Sequence, residues 1–162
     1  GGAGRWAVEA EAVKQDYRGG PIPSLRDGGR YDLALTYRGG SAPDRSWIAG
    51  IAFEMKDADL RALGYRGGRV FAAMRTPISE NGAYFDLSGT LRRIDHRNAP
   101  LIVDLKETRL FTRAAVGMPL GSQGLYAEGA VSYTGRWNNN ASLLRDYGSV
   151  GAELRLVYRF GK

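Results

Sequence analysis

Val150-Gly151-Ala152-Glu153-Leu154-Arg155-Leu156-Val157-Tyr158-Arg159-Phe160 alternates between two kinds of side chain. Val150, Ala152, Leu154, Leu156, Tyr158 and Phe160 share one parity, while Gly151, Glu153, Arg155 and Arg159 share the other. Successive side chains of a strand point to opposite faces, so this segment has one hydrocarbon face and one charged face. A soluble sandwich covers the apolar face with a second sheet and turns the charges to water. A barrel that crosses a bilayer does the reverse, with hydrocarbon toward lipid and charge toward the bore.

Seven earlier segments repeat the pattern over the roughly 9 to 11 residues that a tilted strand needs to cross a bilayer. Trp6, Val8, Ala10 and Ala12 oppose Arg5, Glu9 and Glu11. Tyr31, Leu33, Leu35 and Tyr37 oppose Asp32, Thr36 and Arg38. Trp47, Ala49, Ile51, Phe53 and Met55 oppose Gly50, Ala52, Glu54 and Lys56. Val70, Ala72 and Met74 are expected outside, with Phe71, Ala73 and Arg75 inside. Phe85, Leu87, Gly89 and Leu91 oppose Tyr84, Asp86, Ser88, Thr90 and Arg92. Near 109–118, Leu110, Thr112, Ala114 and Val116 oppose Arg109 and Arg113. Leu125, Ala127, Gly129, Val131 and Tyr133 oppose Tyr126, Glu128, Ser132 and Thr134.

The connections between these segments alternate in length. Long ones are expected at 17–29, 57–68, 93–108 and 135–147, and short ones at 39–45, 77–82 and 119–124. Every proline (Pro21, Pro23, Pro43, Pro77, Pro100, Pro119) falls in a connection or at a strand end, where its missing N–H breaks no ladder. The expected fold is all-β: an eight-stranded antiparallel up-and-down transmembrane β-barrel forming a single domain over the 162 residues.

Composition narrows the chemistry. The chain has no cysteine, which removes disulfides, thiolate metal sites and cysteine nucleophiles. No stretch reaches the roughly 18 apolar residues of a transmembrane helix. The formal net charge of +6 speaks for an anionic partner rather than for a fold.

On these residues the chain resembles the small eight-stranded outer-membrane barrels: the transmembrane domain of outer-membrane protein A, and the adhesion and serum-resistance barrels related to outer-membrane protein X. The resemblance is one of architecture over essentially the whole chain. Its most specific element is the terminal Gly151, Leu154, Leu156, Tyr158, Phe160 pattern, which looks like the signal read by the barrel-insertion machinery. It implies a monomeric, non-enzymatic protein of a Gram-negative outer membrane, with both termini in the periplasm and function carried by the outer loops. It implies contact with outer-membrane lipid and lipopolysaccharide, and no nucleic acid or cofactor. Part of a larger export porin, or a lipid A-modifying enzyme, are the alternatives.

Three sets of residues are candidates within that reading. Glu9, Glu11, Asp32, Glu54, Arg75, Asp86, Arg92, Arg109, Arg113, Glu128, Glu153, Arg155 and Arg159 are expected to line the bore as a network of paired charges that plugs it. Trp6, Tyr37, Trp47, Phe85, Tyr158 and Phe160 gather at one edge of the apolar face, and Tyr31, Phe53 and Tyr133 at the other, like the aromatic girdles at membrane interfaces. Arg18, Arg26, Arg30, Arg61, Arg66, Arg69, Arg93, Arg97, Arg136 and Arg145 are expected in the long loops or at their rims as an anion-binding collar for phosphate or acidic polysaccharide. Leu101, Ile102 and Val103, with Trp137, Leu143 and Leu144, make two loops partly apolar and suit contact with a host or envelope protein. His96, the one histidine, is expected as an exposed loop residue, since no serine stands at a spacing suited to a catalytic pair. One histidine among scattered carboxylates offers no metal-ligand spacing, and Asp57-Ala58-Asp59 lacks the glycine and terminal glutamate of a calcium loop.

Overall fold

The alternating segments form eight strands, most of them longer than the alternation alone indicates: β1 (Arg5–Gln15), β2 (Gly28–Ala42), β3 (Arg45–Ala58), β4 (Tyr65–Pro77), β5 (Tyr84–His96), β6 (Leu105–Pro119), β7 (Leu125–Asn138) and β8 (Tyr147–Tyr158). The structure, a computed structural model, describes residues 4–15, 28–42, 45–58, 64–96, 105–121, 124–140 and 145–158. Each strand pairs antiparallel with the next, in the order β1-β2-β3-β4-β5-β6-β7-β8. The protein is therefore all-β, a single meander of hairpins.

The longer strands shorten the connections. The segment 59–64 between β3 and β4 is no longer than 78–83 between β4 and β5, so the expected strict alternation of long and short fails there. The hydrogen-bonded ladders extend past the alternating segments, and β5 and β6 pair all the way to His96↔Leu105. At the β4–β5 turn the Asn81 side chain accepts from the backbone N–H of Ala83 at 3.2 Å. Gly82, with φ +90°, supplies the left-handed residue that this tight reversal requires.

Burial is inverted relative to a water-soluble sheet. Leu33, Ile51, Phe53, Val70, Leu87, Leu91 and Val131 are exposed, and Leu154 reaches 83%. On the opposite face Glu54, Glu107 and Glu128 are buried, the last at 2%. In β4, Val70, Ala72 and Met74 are exposed while Phe71, Ala73 and Arg75 are half-buried, which fits the expected facing. Small residues keep the inward face accessible to its long polar side chains: Ala52, Ala115 and Ala130 are all buried there.

The sheet curls around its charged face. Strands two apart lie about 9 to 10 Å from each other, yet Arg92 of β5 bonds Glu54 of β3, and Tyr84 of β5 bonds Glu128 of β7. Concave curvature brings those side-chain tips together. A recess of about 450 Å³ near one rim is bordered by residues from β2 to β6, among them Arg38, Ile48, Arg75, Asp86 and Arg113.

Curling stops short of a closed ring. No ladder joins β1 to β8 among the described residues. The side chains of β1 from Arg5 to Lys14 are exposed on both faces, and those of β8 nearly so. The expected closed barrel is thus present as its full set of seven hairpin ladders, with an open seam between the first and last strands.

Candidate functional site

The inward face is organised in cross-strand rows, which follow from the register of the ladders. One row runs Thr36, Gly50, Phe71, Thr90, Phe111, Thr134 and carries no charge. The Phe71 ring lies over Gly50, where a Cβ would meet it at 2.5 Å. This waist separates two ionic tiers, one toward each rim.

The lower tier lies toward the rim that holds Gly4 and the end of β8. Its centre is Glu128, which accepts from the Tyr84 hydroxyl at 2.5 Å, Arg113 Nη2 at 2.6 Å and Arg155 Nε at 2.8 Å. Arg75 forks onto Asp86 through Nε at 2.6 Å and Nη2 at 2.5 Å, and its guanidinium lies 4.4 Å from the centre of the Tyr84 ring. Tyr84 therefore ties the two carboxylate centres together. Gly117, directly opposite Tyr84 in the ladder, leaves the space that its ring occupies. Charge-assisted, forked pairs of this kind are the strong hydrogen bonds of proteins.

The upper tier contains three stacked rows. Glu9, Ala34, Ala52, Arg69, Arg92, Arg109, Arg136 and Tyr147 form the first. Glu11, Asp32, Glu54, Gly67, Ile94, Glu107 and Asn138 form the second. Val13, Arg30, Lys56, Tyr65, His96 and Leu105 form the third. Basic and acidic rows thus alternate toward the rim. Arg92 forks onto Glu54, while Glu107, 1% exposed, holds Arg109 and also Arg136 Nη2 at 2.9 Å. Gly67 stands between these two glutamates' strands, and a Cβ there would crowd the Glu54 side chain. Arg30 pairs with Asp32 at 2.8 Å.

Several expected residues sit elsewhere than the sequence suggested. His96 is not in a loop: it ends β5 on the inward face, half-buried, with its ring centre 6.3 Å from that of Tyr65 and Nε2 3.7 Å from Glu107. Arg30, Arg66, Arg69, Arg93 and Arg136, expected in the loops or at their rims, are strand residues, because the ladders continue beyond the apolar segments. Of these, Arg30, Arg69 and Arg136 belong to inward rows. Arg145 does lie outside the strands and is exposed, and Arg18, Arg26, Arg61 and Arg97 fall outside the described residues. Glu9 and Glu11 share the inward parity but are exposed and form no ion pair among the described residues, since β8 does not cover them. Glu153 and Arg155, at the other edge, keep side-chain exposures of 50% and 47%. Arg159 lies outside the described residues.

The sequence reading missed Glu107, Tyr84 as a ligand of Glu128, and Tyr65. Glu107 stands two residues before Arg109, in phase with the inward parity, but it precedes the first apolar residue of the alternating segment and so reads as part of the connection.

On the apolar face, Trp6, Tyr37 and Trp47 form a continuous aromatic strip over β1, β2 and β3, with ring centres 4.7 and 5.0 Å apart. Phe85 and Tyr158 lie toward the same rim; Tyr31, Phe53 and Tyr133 lie toward the other. Phe160 is outside the described residues. Trp137, expected in an apolar loop, is an exposed β7 residue beside this second edge, and Leu101, Ile102, Val103, Leu143 and Leu144 lie outside the described residues.

Among the described residues no group of three or more His, Asp or Glu is arranged to hold a metal ion. No helix is long and apolar enough to cross a membrane, which says nothing of crossing by strands. Fold and site together define an eight-stranded antiparallel meander with a charged inner wall and an apolar outer wall. No protein-family profile, no curated protein and no solved structure matches the chain.

Proposed function

We propose that the chain is a non-enzymatic β-barrel of a bacterial outer membrane, with both termini on the periplasmic side and the opposite rim exposed for contact with lipopolysaccharide, polysaccharide or an envelope partner. The observation that carries this reading is the inverted burial: an exposed apolar wall backed by an inner wall of ion-paired carboxylates and guanidiniums. Exposed apolar area on this scale is unfavourable in water and favourable in lipid. The aromatic strip at one edge suits a headgroup boundary.

The unpaired edges favour a second reading, in which these strands form one arc of a wider export barrel. Two measurements on membrane-extracted protein test the proposal. A single-chain barrel migrates differently on gels when boiled and is nearly silent in planar bilayers, because the Phe71 and Phe111 waist and the lower ionic tier obstruct the bore. Large stable conductance would replace it with the wider pore. Solubility without detergent would remove the membrane reading altogether.

A further inference from the structure

Four arginines, one from each of four successive strands, stand side by side on the inward face: Arg69↔Arg92↔Arg109↔Arg136. Like charges directly opposite one another across a ladder are destabilising, so such a row needs negative charge close by. The chain supplies too little at that wall. Arg92 is matched by Glu54, but Arg109 and Arg136 share the single carboxylate of Glu107. Arg69 forms no ion pair among the described residues and lies 5.9 Å from the centre of the Phe71 ring. Four guanidiniums thus meet two carboxylates. Glu9 belongs to the same row but stands three strands away from Arg69, beyond Ala34 and Ala52, at about 14 Å.

Donors also remain. Arg136 Nε is buried and has no hydrogen-bond partner among the described residues, and a buried donor left unsatisfied is costly. Arg69 and Arg109 are exposed, so the row is reachable. From Arg69 to Arg136 it spans three strand spacings, about 14 Å. That length suits a ligand with several anionic groups in line better than one isolated ion.

We infer that the Arg69–Arg92–Arg109–Arg136 row is a binding site for an extended phosphate-bearing anion, either a soluble oligophosphate or a multiply phosphorylated lipid headgroup. Planar guanidiniums present paired donors that match phosphate oxygens. The row differs from a loop collar in that its geometry is set by four ladders. The inference needs only the inner wall and does not depend on the membrane reading.

The test titrates tripolyphosphate into the folded, detergent-solubilised full chain by calorimetry at low and moderate salt. Saturable binding that weakens with salt is expected, reduced at least tenfold in Arg69→Ala and further in Arg69→Glu. Arg69 makes no ion pair among the described residues, so these variants remain folded, and their melting curves verify it. Arg38→Ala, an exposed inward arginine near the other rim, is expected to bind within twofold of the parent. Absent or unsaturable binding, or equal weakening by Arg38→Ala, overturns the site. Competition from micelles carrying a diphosphorylated lipid, against phosphocholine micelles as control, identifies the lipid headgroup as the source; binding unaffected by either identifies the soluble anion.

Discussion

Tyr84 donates its hydroxyl hydrogen to Glu128 at 2.5 Å across two strands and 44 positions of sequence. Both side chains are 2% exposed. The same phenol ring lies beneath the guanidinium of Arg75, which is forked onto Asp86. One aromatic residue thus couples two carboxylate centres on the concave face of the sheet.

Tyr84→Phe keeps the ring and removes the hydroxyl. A hydrogen bond to a charged group is worth about 1.5 to 3 kcal/mol, so a loss of that size is expected in denaturant titrations. Glu128→Ala removes the acceptor of the buried Tyr84 hydroxyl and leaves Arg113 and Arg155 only Glu153, 3.6 Å from each, and should cost about 3 to 5 kcal/mol. Arg145→Ala, on the exposed segment before β8, should stay within about 0.5 kcal/mol. Equal values for the three would mean that the lower tier is a water-filled space.

Gly117 and Gly129 make an internal contrast. A Cβ at Gly117 would run into the Tyr84 ring, whereas nothing lies within 4 Å of one at Gly129. Gly117→Val should therefore destabilise by about 1 to 3 kcal/mol through overpacking. Gly129→Ala should be neutral or stabilising by up to about 1 kcal/mol, since alanine loses less backbone freedom in a strand. Urea midpoints of the two variants check the order.

Facing is tested by arginine. Leu35 and Ile51 are exposed on the apolar wall and oppose each other in the ladder, while Thr36 points inward. Leu35→Arg and Ile51→Arg should each impair folding into lipid vesicles by about 2 to 4 kcal/mol, and Thr36→Arg by much less. Similar yields for both classes would contradict a lipid-facing outer wall.

Closure of the seam has a definite register. The row that starts at Glu9 reaches Tyr147 on β8. A stagger of about eight residues, as in other eight-stranded barrels, sets Arg155 opposite Glu9; two residues more sets it opposite Glu11. The first register overlaps about ten residue pairs and the second about eight, and each sets a β1 glutamate opposite Arg155. The chain has no cysteine of its own, so Glu9→Cys or Glu11→Cys combined with Arg155→Cys gives an unambiguous readout. One of the two pairs should form a disulfide within a single chain on oxidation. Folded protein that forms neither would point to further strands between β1 and β8.

Period-two alternation was enough to place eight strands, to separate their two faces and to foresee that Glu54, Arg75, Asp86, Arg92, Arg113 and Glu128 share one of them. That much is local, because facing depends only on the parity of a residue within its strand. Pairing partners are not local. The fork of Arg92 onto Glu54, the meeting of Tyr84 with Glu128 and the alignment of Arg69, Arg92, Arg109 and Arg136 all depend on ladder register and on how tightly the sheet curls. Strand ends were equally hidden, since backbone hydrogen bonding carries β5 to His96 and β6 back to Leu105, past the last residues whose polarity alternates. Tertiary structure alone moved His96 and Arg136 from expected loops onto the inner wall and left Glu9 and Glu11 uncovered, because a neighbouring strand, not the residue itself, decides whether a charge is paired.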